Sequence, residues 1–392
     1  MTSRGMASLG LLALGLGACG PPDGSGGSSL VRVMAYQSSD GTFVLADRRL
    51  ETTTDLASLQ GATAQFRGGA RLVWDERQIE EMAARARGEG RALDCDDVVG
   101  AFVRDVGNPP SLSFVEDDGV LVPEDYDTLV MVSTYYNFEL SRDFFLEAGV
   151  PPDDLGAALT FYEPTLTLVD RLGNRTFTFD NAAYIPCADA FVIFAGRYLQ
   201  DIPLGANPGV AAHEYGHLVF DHTLFGLARD RVAAPSPGSA SAAFLAALNE
   251  GMADFFGASI LGDANFAGRS LSPDQSDARD LDPGAVFSPA RAVAALAGNP
   301  YALGSVWGSL LWDISLSDSA VGSAHDVARL GLDAVIALQD GRATTYANEN
   351  MIAALIEVAA SRPDPKVLTV TCAAINARFD RLQPDLTACP PR

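Results

Sequence analysis

The chain has 392 residues, of which 48% are hydrophobic and 20% charged, and its formal net charge at pH 7 is −23. This length allows two or three domains around a large buried core, and the composition excludes a disordered polypeptide. The negative charge argues against a nucleic-acid-binding protein and favours solubility in a solvent-exposed compartment. We expect a monomer.

The first predicted element is an export signal. Arg4 precedes a short apolar run at 6–17, too short to span a membrane comfortably. The run leads into Leu-Gly-Ala-Cys at 16–19, which resembles a bacterial lipobox. That resemblance implies a signal peptide over 1–19 and a lipid anchor on Cys19 that attaches the protein to the membrane; an ordinary secretory signal is the alternative. Gly20 then implies the outer membrane or cell surface of the bacterial cell envelope.

Two segments follow the signal. Residues 20–29 are rich in Gly, Ser and Pro and predict a flexible tether, because they cannot bury apolar surface. Residues 30–125 are interpreted as an accessory or propeptide-like domain, with strands predicted at 30–36 and 42–45 and a helix at 75–87.

Residues 126–392 form the main predicted domain. Its first part is mixed, with an apolar stretch at 129–133, a helix at 135–148, a hairpin of strands at 166–169 and 175–179, and a strand at 191–194. Asn207 and Pro208 are typical of a helix start, and this helix should run to about residue 224. After a loop at 229–240, helices are predicted at 242–261, 303–314, 324–338, 348–361 and 368–382. We therefore predict an α+β fold of two lobes, mixed first and mainly helical last, with a cleft at their junction.

The helix that begins at Pro208 carries the sequence His-Glu-Tyr-Gly-His at 213–217. Histidines four residues apart lie on one helical face, so His213 and His217 can share one Zn²⁺. Glu214 lies between them, next to where a water molecule would be activated. The pattern predicts hydrolytic chemistry.

A catalytic zinc needs a third protein ligand, and the sequence Asn-Glu-Gly-Met-Ala-Asp at 249–254 is its best source. Glu250 and Asp254 share a helical face because they are four residues apart. Glu250 can reach the metal, while Asp254 can accept a hydrogen bond from a ligand imidazole and fix its orientation.

These two motifs together resemble the thermolysin-like and fungalysin-like gluzincin metallopeptidases. The resemblance implies a zincin-like fold with the active-site helix between the lobes. It covers roughly residues 126–372 and leaves the first 125 residues unmatched. It implies zinc ligands His213, His217 and Glu250, the general base Glu214, and supporting contacts from Asp254 to His213 and from Asn249 to His217.

A further match concerns the peptide or protein substrate. The sequence Asn-Ala-Ala-Tyr at 181–184 resembles the edge segment of these families. The resemblance implies that Asn181 and Ala183 hold the substrate backbone, and a peptide can add a strand only at such an exposed edge.

The chain departs from the families at 301–307. Tyr301 stands where a histidine is expected to steady the negatively charged intermediate, and Ser305 replaces a glutamate. Tyr301 could donate the missing hydrogen bond through its phenol, or it could be a packing residue. The alternative to a working peptidase is therefore a weakly active or inactive zinc-binding surface protein that retains the fold.

Other polar residues receive plainer interpretations. With Cys19 lipidated, four cysteines remain, and the pairs Cys372–Cys389 and Cys95–Cys187 are favoured over free thiols. His222 and His325 are predicted to be surface or capping residues. The acidic run at 274–282 is predicted to be a solvated loop rather than a calcium site.

Overall fold

The structure is a computed structural model that describes residues 29–90, 95–178, 181–196, 201–226, 238–282, 284–317, 322–340 and 346–390. The signal peptide with Cys19, most of the tether and most of the loop predicted at 229–240 lie outside the described residues. Among the helices that are described, none is both long and apolar enough to cross a membrane.

Strands dominate the first half of the described chain. They are β1 Ser29–Gln37, β2 Thr42–Leu50, β3 Thr53–Asp55, β4 Gln60–Gly61, β5 Ala64–Gly68, β6 Arg71–Asp75, β7 Val103–Asp105, β8 Phe114–Asp117, β9 Val120–Pro123, β10 Ala158–Tyr162, β11 Thr165–Val169, β12 Arg175–Thr178, β13 Ala182–Ile185 and β14 Ala190–Ile193. They form three sheets, in the orders β2-β1-β9-β8, β13-β14-β10-β5-β4-β3 and β12-β11-β6-β7.

Helices dominate the second half. They are α1 Glu76–Gly88, α2 Cys95–Phe102, α3 Tyr126–Glu147, α4 Pro208–Phe225, α5 Ala240–Leu261, α6 Pro273–Asp277, α7 Pro289–Leu296, α8 Tyr301–Leu316, α9 Ala324–Asp340, α10 Asn348–Ser361 and α11 Pro365–Phe379. This succession of a strand-rich first lobe and a helical second region confirms the predicted α+β fold class.

The central helix α4 begins where the sequence predicted. The Asn207 side chain accepts a hydrogen bond from the backbone N–H of Gly209, and Pro208 occupies the first helical position. Tyr215, in the middle of α4, is fully buried and stacks on Phe145 of α3 and Phe191 of β14. The helix is thus fixed against both the first lobe and the long helix α3.

The predicted division at residue 125 needs correction. Strand β5 pairs in parallel with β10, and β6 pairs with β11, so strands from before and after this boundary are hydrogen-bonded neighbours. The buried carboxylate of Glu139 on α3 also accepts hydrogen bonds from the backbone N–H and the hydroxyl of Thr52. Residues 30–125 therefore share sheets and core with the rest of the chain and are not packed apart from it. The interpretation of these residues as a propeptide that is removed from the mature protein stays a prediction.

Several element boundaries differ from expectation. Helix α3 absorbs the apolar stretch at 129–133, because Asp125 caps its first turn by accepting from the backbone N–H of Thr128. The segment at 274–282 is not wholly a loop, since it contains most of the short helix α6. Both favoured disulfides, Cys95–Cys187 and Cys372–Cys389, are formed.

Candidate active site

Helix α4 places its two motif histidines side by side. The Nε2 atoms of His213 and His217 are 2.9 Å apart, and their rings meet edge to face. One ligand atom from each of His213, Glu214 and His217 lies within 4.8 Å of the others. His213 and Glu214 are buried and His217 is half-buried, as the helical spacing predicts for a face turned inward.

Helix α5 brings the third predicted ligand to the same point. The Oε2 atom of Glu250 lies 3.5 Å from Nε2 of His213 and 3.7 Å from Nε2 of His217. The two helices pack tightly because Gly216 faces Ala253 and Phe256, where a side chain on residue 216 would clash. A small residue within the histidine motif therefore lets the two ligand-bearing helices meet.

Each histidine has a supporting partner on α5. The Oδ1 atom of Asn249 lies 2.9 Å from Nδ1 of His217, and an Oδ1 atom of Asp254 lies 3.0 Å from Nδ1 of His213. Both oxygens accept, so each favours a proton on the Nδ1 atom that faces it and leaves the Nε2 atom directed to the centre of the site. Both partners lie where the family resemblance implied.

Sequence reasoning missed one residue of the site, Arg279. Its Nε and Nη2 atoms donate hydrogen bonds to Oδ1 of Asp254, at 3.0 and 2.5 Å. The Nη2 atom also lies 2.8 Å from Nδ1 of His213. The guanidinium lies between the rings of Phe266 and Tyr301, 5.3 and 5.0 Å from their centroids. Arg279 belongs to the acidic run predicted as a solvated loop. The signal that could have revealed it was a single basic residue among the aspartates.

The charges of these groups depend on one another. Burial and the Arg279 guanidinium lower the pKa of His213, but hydrogen bonds to Asp254 and Glu250 outweigh them and raise it to about 9. Burial raises the pKa of Glu250, but the two imidazoles and the Arg279 guanidinium lower it to about 2. Burial lowers the pKa of Arg279, and the Asp254 carboxylate in particular raises it above its ordinary value. The centre therefore holds the Glu250 carboxylate and the Arg279 guanidinium in their charged forms.

The site opens into a cleft of about 640 Å³. One wall is the segment 181–184, and β13 is the edge strand of its six-stranded sheet, next to β14. The predicted substrate-binding residues Asn181 and Ala183 line this wall, and the motif residues line the floor. The structure therefore brings every predicted site residue to the cleft or directly behind its ligands.

Tyr301 lies at the first position of α8 and also lines the cleft. Burial and the negative charge of Glu250 raise the pKa of its phenol, so the hydroxyl keeps its proton and can donate a hydrogen bond. Ser305, one turn further along, points elsewhere: its hydroxyl accepts a hydrogen bond from Arg291. Of the two residues that depart from the family pattern, Tyr301 lines this cleft and Ser305 does not.

The donor set fits a zinc ion. Two imidazole nitrogens and a carboxylate are ligands that zinc prefers at catalytic sites, where a further position is left for water. One carboxylate oxygen of Glu214 is buried with no hydrogen-bond partner, and the buried Oε2 atom of Glu250 lies 3.5 Å and 3.7 Å from the two imidazoles. Buried carboxylates without partners are costly unless a cation or a donor satisfies them, and a metal between the imidazoles would do so.

Two other histidines lie away from this centre. His222, predicted to be a surface or capping residue, lies in the last turn of α4 and is buried, with its ring between the carbonyl oxygen of Asp154 and the carboxylate of Asp189. His325 on α9 is partly exposed and pairs with Glu147 at 3.3 Å. Neither belongs to the metal-ligand cluster of the described residues.

No protein-family model matches the sequence, and no curated protein matches it. Among solved structures, the chain is similar to the precursor of protealysin, a metalloproteinase from Serratia proteamaculans. The identity is 13%, the match covers 82% of this chain and 91% of that chain, and the TM-score is 0.45.

Proposed function

We propose that this protein is a zinc-dependent endopeptidase of the gluzincin type, with His213, His217 and Glu250 as metal ligands. The observation that carries the proposal is the convergence of these three side chains and Glu214 at the floor of one cleft. The buried, unpartnered carboxylate oxygen of Glu214 supports a cation at this point.

When bound, zinc would supply Lewis-acid chemistry, polarising a carbonyl group and making a water molecule more acidic. Glu214 takes a proton from the attacking water and delivers it to the leaving amine nitrogen, as a general base that then acts as an acid. Its position next to both histidines, with one oxygen unpartnered, leaves it free for this transfer.

The cleft walls suit an extended peptide. The substrate would add a strand to the exposed edge of β13, with the Asn181 amide and the backbone of Ala183 holding its main chain. Tyr301, which also lines the cleft, donates a hydrogen bond to the carbonyl oxygen as negative charge develops there. Its raised pKa keeps that proton available at neutral and mildly alkaline pH.

A second candidate is a zinc-binding surface protein with little or no catalytic activity. It is motivated by Tyr301 and Ser305, which stand where the resembling families carry a histidine and a glutamate. A missing oxyanion donor lowers a rate roughly a hundredfold or more. This candidate predicts bound zinc without turnover of any peptide.

The test is zinc content and casein cleavage by the purified mature protein, compared with three variants. Glu214→Gln should keep zinc and lose cleavage by about 10²–10⁴-fold, the usual scale of a general base. Glu250→Gln should lose zinc as well, and Glu147→Gln, at an exposed carboxylate, should change neither. If Glu214→Gln binds zinc and cleaves as fast as the parent, the assignment is wrong. Zinc binding without cleavage of any peptide by the parent supports the second candidate.

We further propose that the protein is a monomeric lipoprotein of the bacterial cell envelope, anchored by an acyl group on Cys19. The lipobox-like sequence at 16–19 supports this proposal, and the two disulfides suit an oxidising compartment. Mass spectrometry of the native mature protein would identify its first residue and acyl group. It would also show whether residues 30–125 remain in the chain.

A further inference from the structure

His222 joins the active-site helix α4 to the connection that follows the edge strand β13. It lies on α4, five residues beyond His217 and therefore off the metal-binding face. Its Nε2 atom is 3.1 Å from Oδ1 of Asp189, and its Nδ1 atom is 2.8 Å from the carbonyl oxygen of Asp154. The ring is buried, so few water molecules can substitute for these partners.

Asp189 connects this histidine to the substrate wall. It sits in the short connection between the edge strand β13 and β14, in the left-handed backbone region at φ 46°. The same Oδ1 atom accepts a hydrogen bond from the Tyr184 hydroxyl, 3.0 Å away. Tyr184 belongs to β13 and lines the cleft. A continuous chain of hydrogen bonds thus runs from α4 to the strand along which a peptide would bind.

The chemistry of the two contacts fixes the charge of His222. A carbonyl oxygen and a carboxylate oxygen can only accept, so both ring nitrogens must carry a proton to satisfy both. A neutral imidazole carries one proton and has to give up one of the two contacts. The arrangement therefore requires the imidazolium form, and it weakens when that proton is lost.

The surrounding charges favour the same form. Burial lowers the pKa of His222, but hydrogen bonds to Asp189 and to the Asp154 carbonyl raise it above its ordinary value of 6.5. The negative charges of Asp189 and of Asp221, its neighbour on α4, add to this increase. Tyr184 is a further titratable group among these hydrogen-bonded residues, and its hydroxyl donates to Asp189.

We propose that His222 is a positioning residue that holds the substrate-binding edge strand β13 against the active-site helix through Asp189, and that it releases this strand when it loses its proton. The proposal rests on the peptidase function, because it assigns β13 to the substrate. A group with a raised pKa contributes fully below its ordinary value and loses its contribution as pH rises through the raised pKa. The edge strand is therefore firmly held below pH 6.5 and is loosened on the alkaline side of it.

Two variants and one matched control test this role in the purified, zinc-loaded protein. His222→Gln removes the charge while keeping an amide that can form hydrogen bonds. Asp189→Asn keeps an oxygen acceptor and suits the left-handed backbone, but it removes the charge that raises the pKa of His222. His325→Gln is the control, since His325 also pairs with a carboxylate but lies outside the cleft.

The first measurement is hydrogen exchange of the segment 182–185 between pH 6 and 9, corrected for the intrinsic exchange rate. In the parent and in His325→Gln, exchange should increase about tenfold across a single transition above pH 6.5, the scale of one lost charge-assisted hydrogen bond. His222→Gln should exchange fast at pH 6 already and show no transition. In Asp189→Asn the transition should move to lower pH.

The second measurement is KM and kcat for a peptide substrate over the same pH range. His222→Gln should raise KM at pH 6 by about tenfold and leave kcat nearly unchanged, because the metal ligands and Glu214 are untouched. Superimposable exchange and KM profiles for the parent and His222→Gln would overturn the proposal. If neither the parent nor any variant cleaves a peptide, the result counts against the peptidase function. Hydrogen exchange would then still decide whether His222 holds the strand β13.

Discussion

Gly251 of α5 packs directly against Gly304 of α8, so closely that a methyl group on Gly251 would overlap the carbonyl oxygen of Gly304. This contact sets the distance between Glu250, the preceding residue, and Tyr301, one turn earlier on α8. It explains why a glycine follows Glu250 in the sequence.

We predict that Gly251→Ala displaces α8 from α5 and weakens both folding and zinc binding. Overpacking a close helix contact costs about 1–3 kcal/mol of unfolding free energy, measurable by urea denaturation. Gly100→Ala is the matched control: this glycine is also helical but has open space around it, so alanine should be neutral or stabilising. Equal stability of the two variants would show that the α5–α8 contact tolerates a side chain.

Tyr301→Phe should lower kcat about a hundredfold if the phenol donates a hydrogen bond to the developing oxyanion. Zinc content and the free energy of unfolding should hardly change, because the ring remains to cover Arg279. Tyr126→Phe is a suitable control, since its hydroxyl is hydrogen-bonded to the backbone of Ala195 and it does not line this cleft. Unchanged kcat in Tyr301→Phe would reduce Tyr301 to a packing residue.

Zinc affinity should depend on pH. In the metal-free site, Asp254 and Glu250 raise the pKa of His213 to about 9 in spite of burial and the Arg279 charge. Between pH 6 and 8, zinc must therefore displace one proton, and its affinity should rise about tenfold per pH unit. Competition titration with a chromogenic chelator measures this slope. Asp254→Asn should lower the pKa of His213, so the slope of zinc affinity against pH should become flatter towards pH 8. An affinity of the parent that does not change with pH would mean that His213 is neutral before zinc binds.

Arg279 and Asp254 form a mostly buried pair, so their substitutions should be strongly non-additive. Asp254→Asn leaves the guanidinium without its main countercharge and should cost about 3 kcal/mol or more of unfolding free energy. Adding Arg279→Gln to this variant should restore part of that loss, because no unpaired charge remains. Urea denaturation of both single variants and the double variant gives the coupling energy. Simple additivity would show that the two groups stabilise the fold independently.

The local parts of this protein could be predicted from sequence because local rules govern them. The start of α4 depends on Asn207 and Pro208, which satisfy and pre-order the first turn whatever lies around it. The spacing of His213 and His217 puts both rings on one face of any helix, and the same spacing rule aligns Glu250 with Asp254. The disulfide pairs followed from the number and proximity of the cysteines in a chain predicted to be exported.

The remaining features depend on groups that are distant in sequence. Nothing local distinguishes Arg279 from the solvated aspartates around it; it is buried only because Asp254 lies 25 residues earlier in the chain and 3.0 Å away in space. The burial of His222 could not be predicted, because its partners Asp154 and Asp189 come from a different lobe. The apparent boundary at residue 125 reflected a change in local pattern, which carries no information on which strands pair.

Most of the long helices, the α+β class and the candidate ligands could be predicted from the sequence, because each depends on residues within one or two helical turns. Which side chains share one cleft, which charges are buried together and how the described residues before 126 enter the same sheets could not. Those outcomes depend on long-range packing and on the cost of burying charge without a partner, and neither can be read from neighbouring residues.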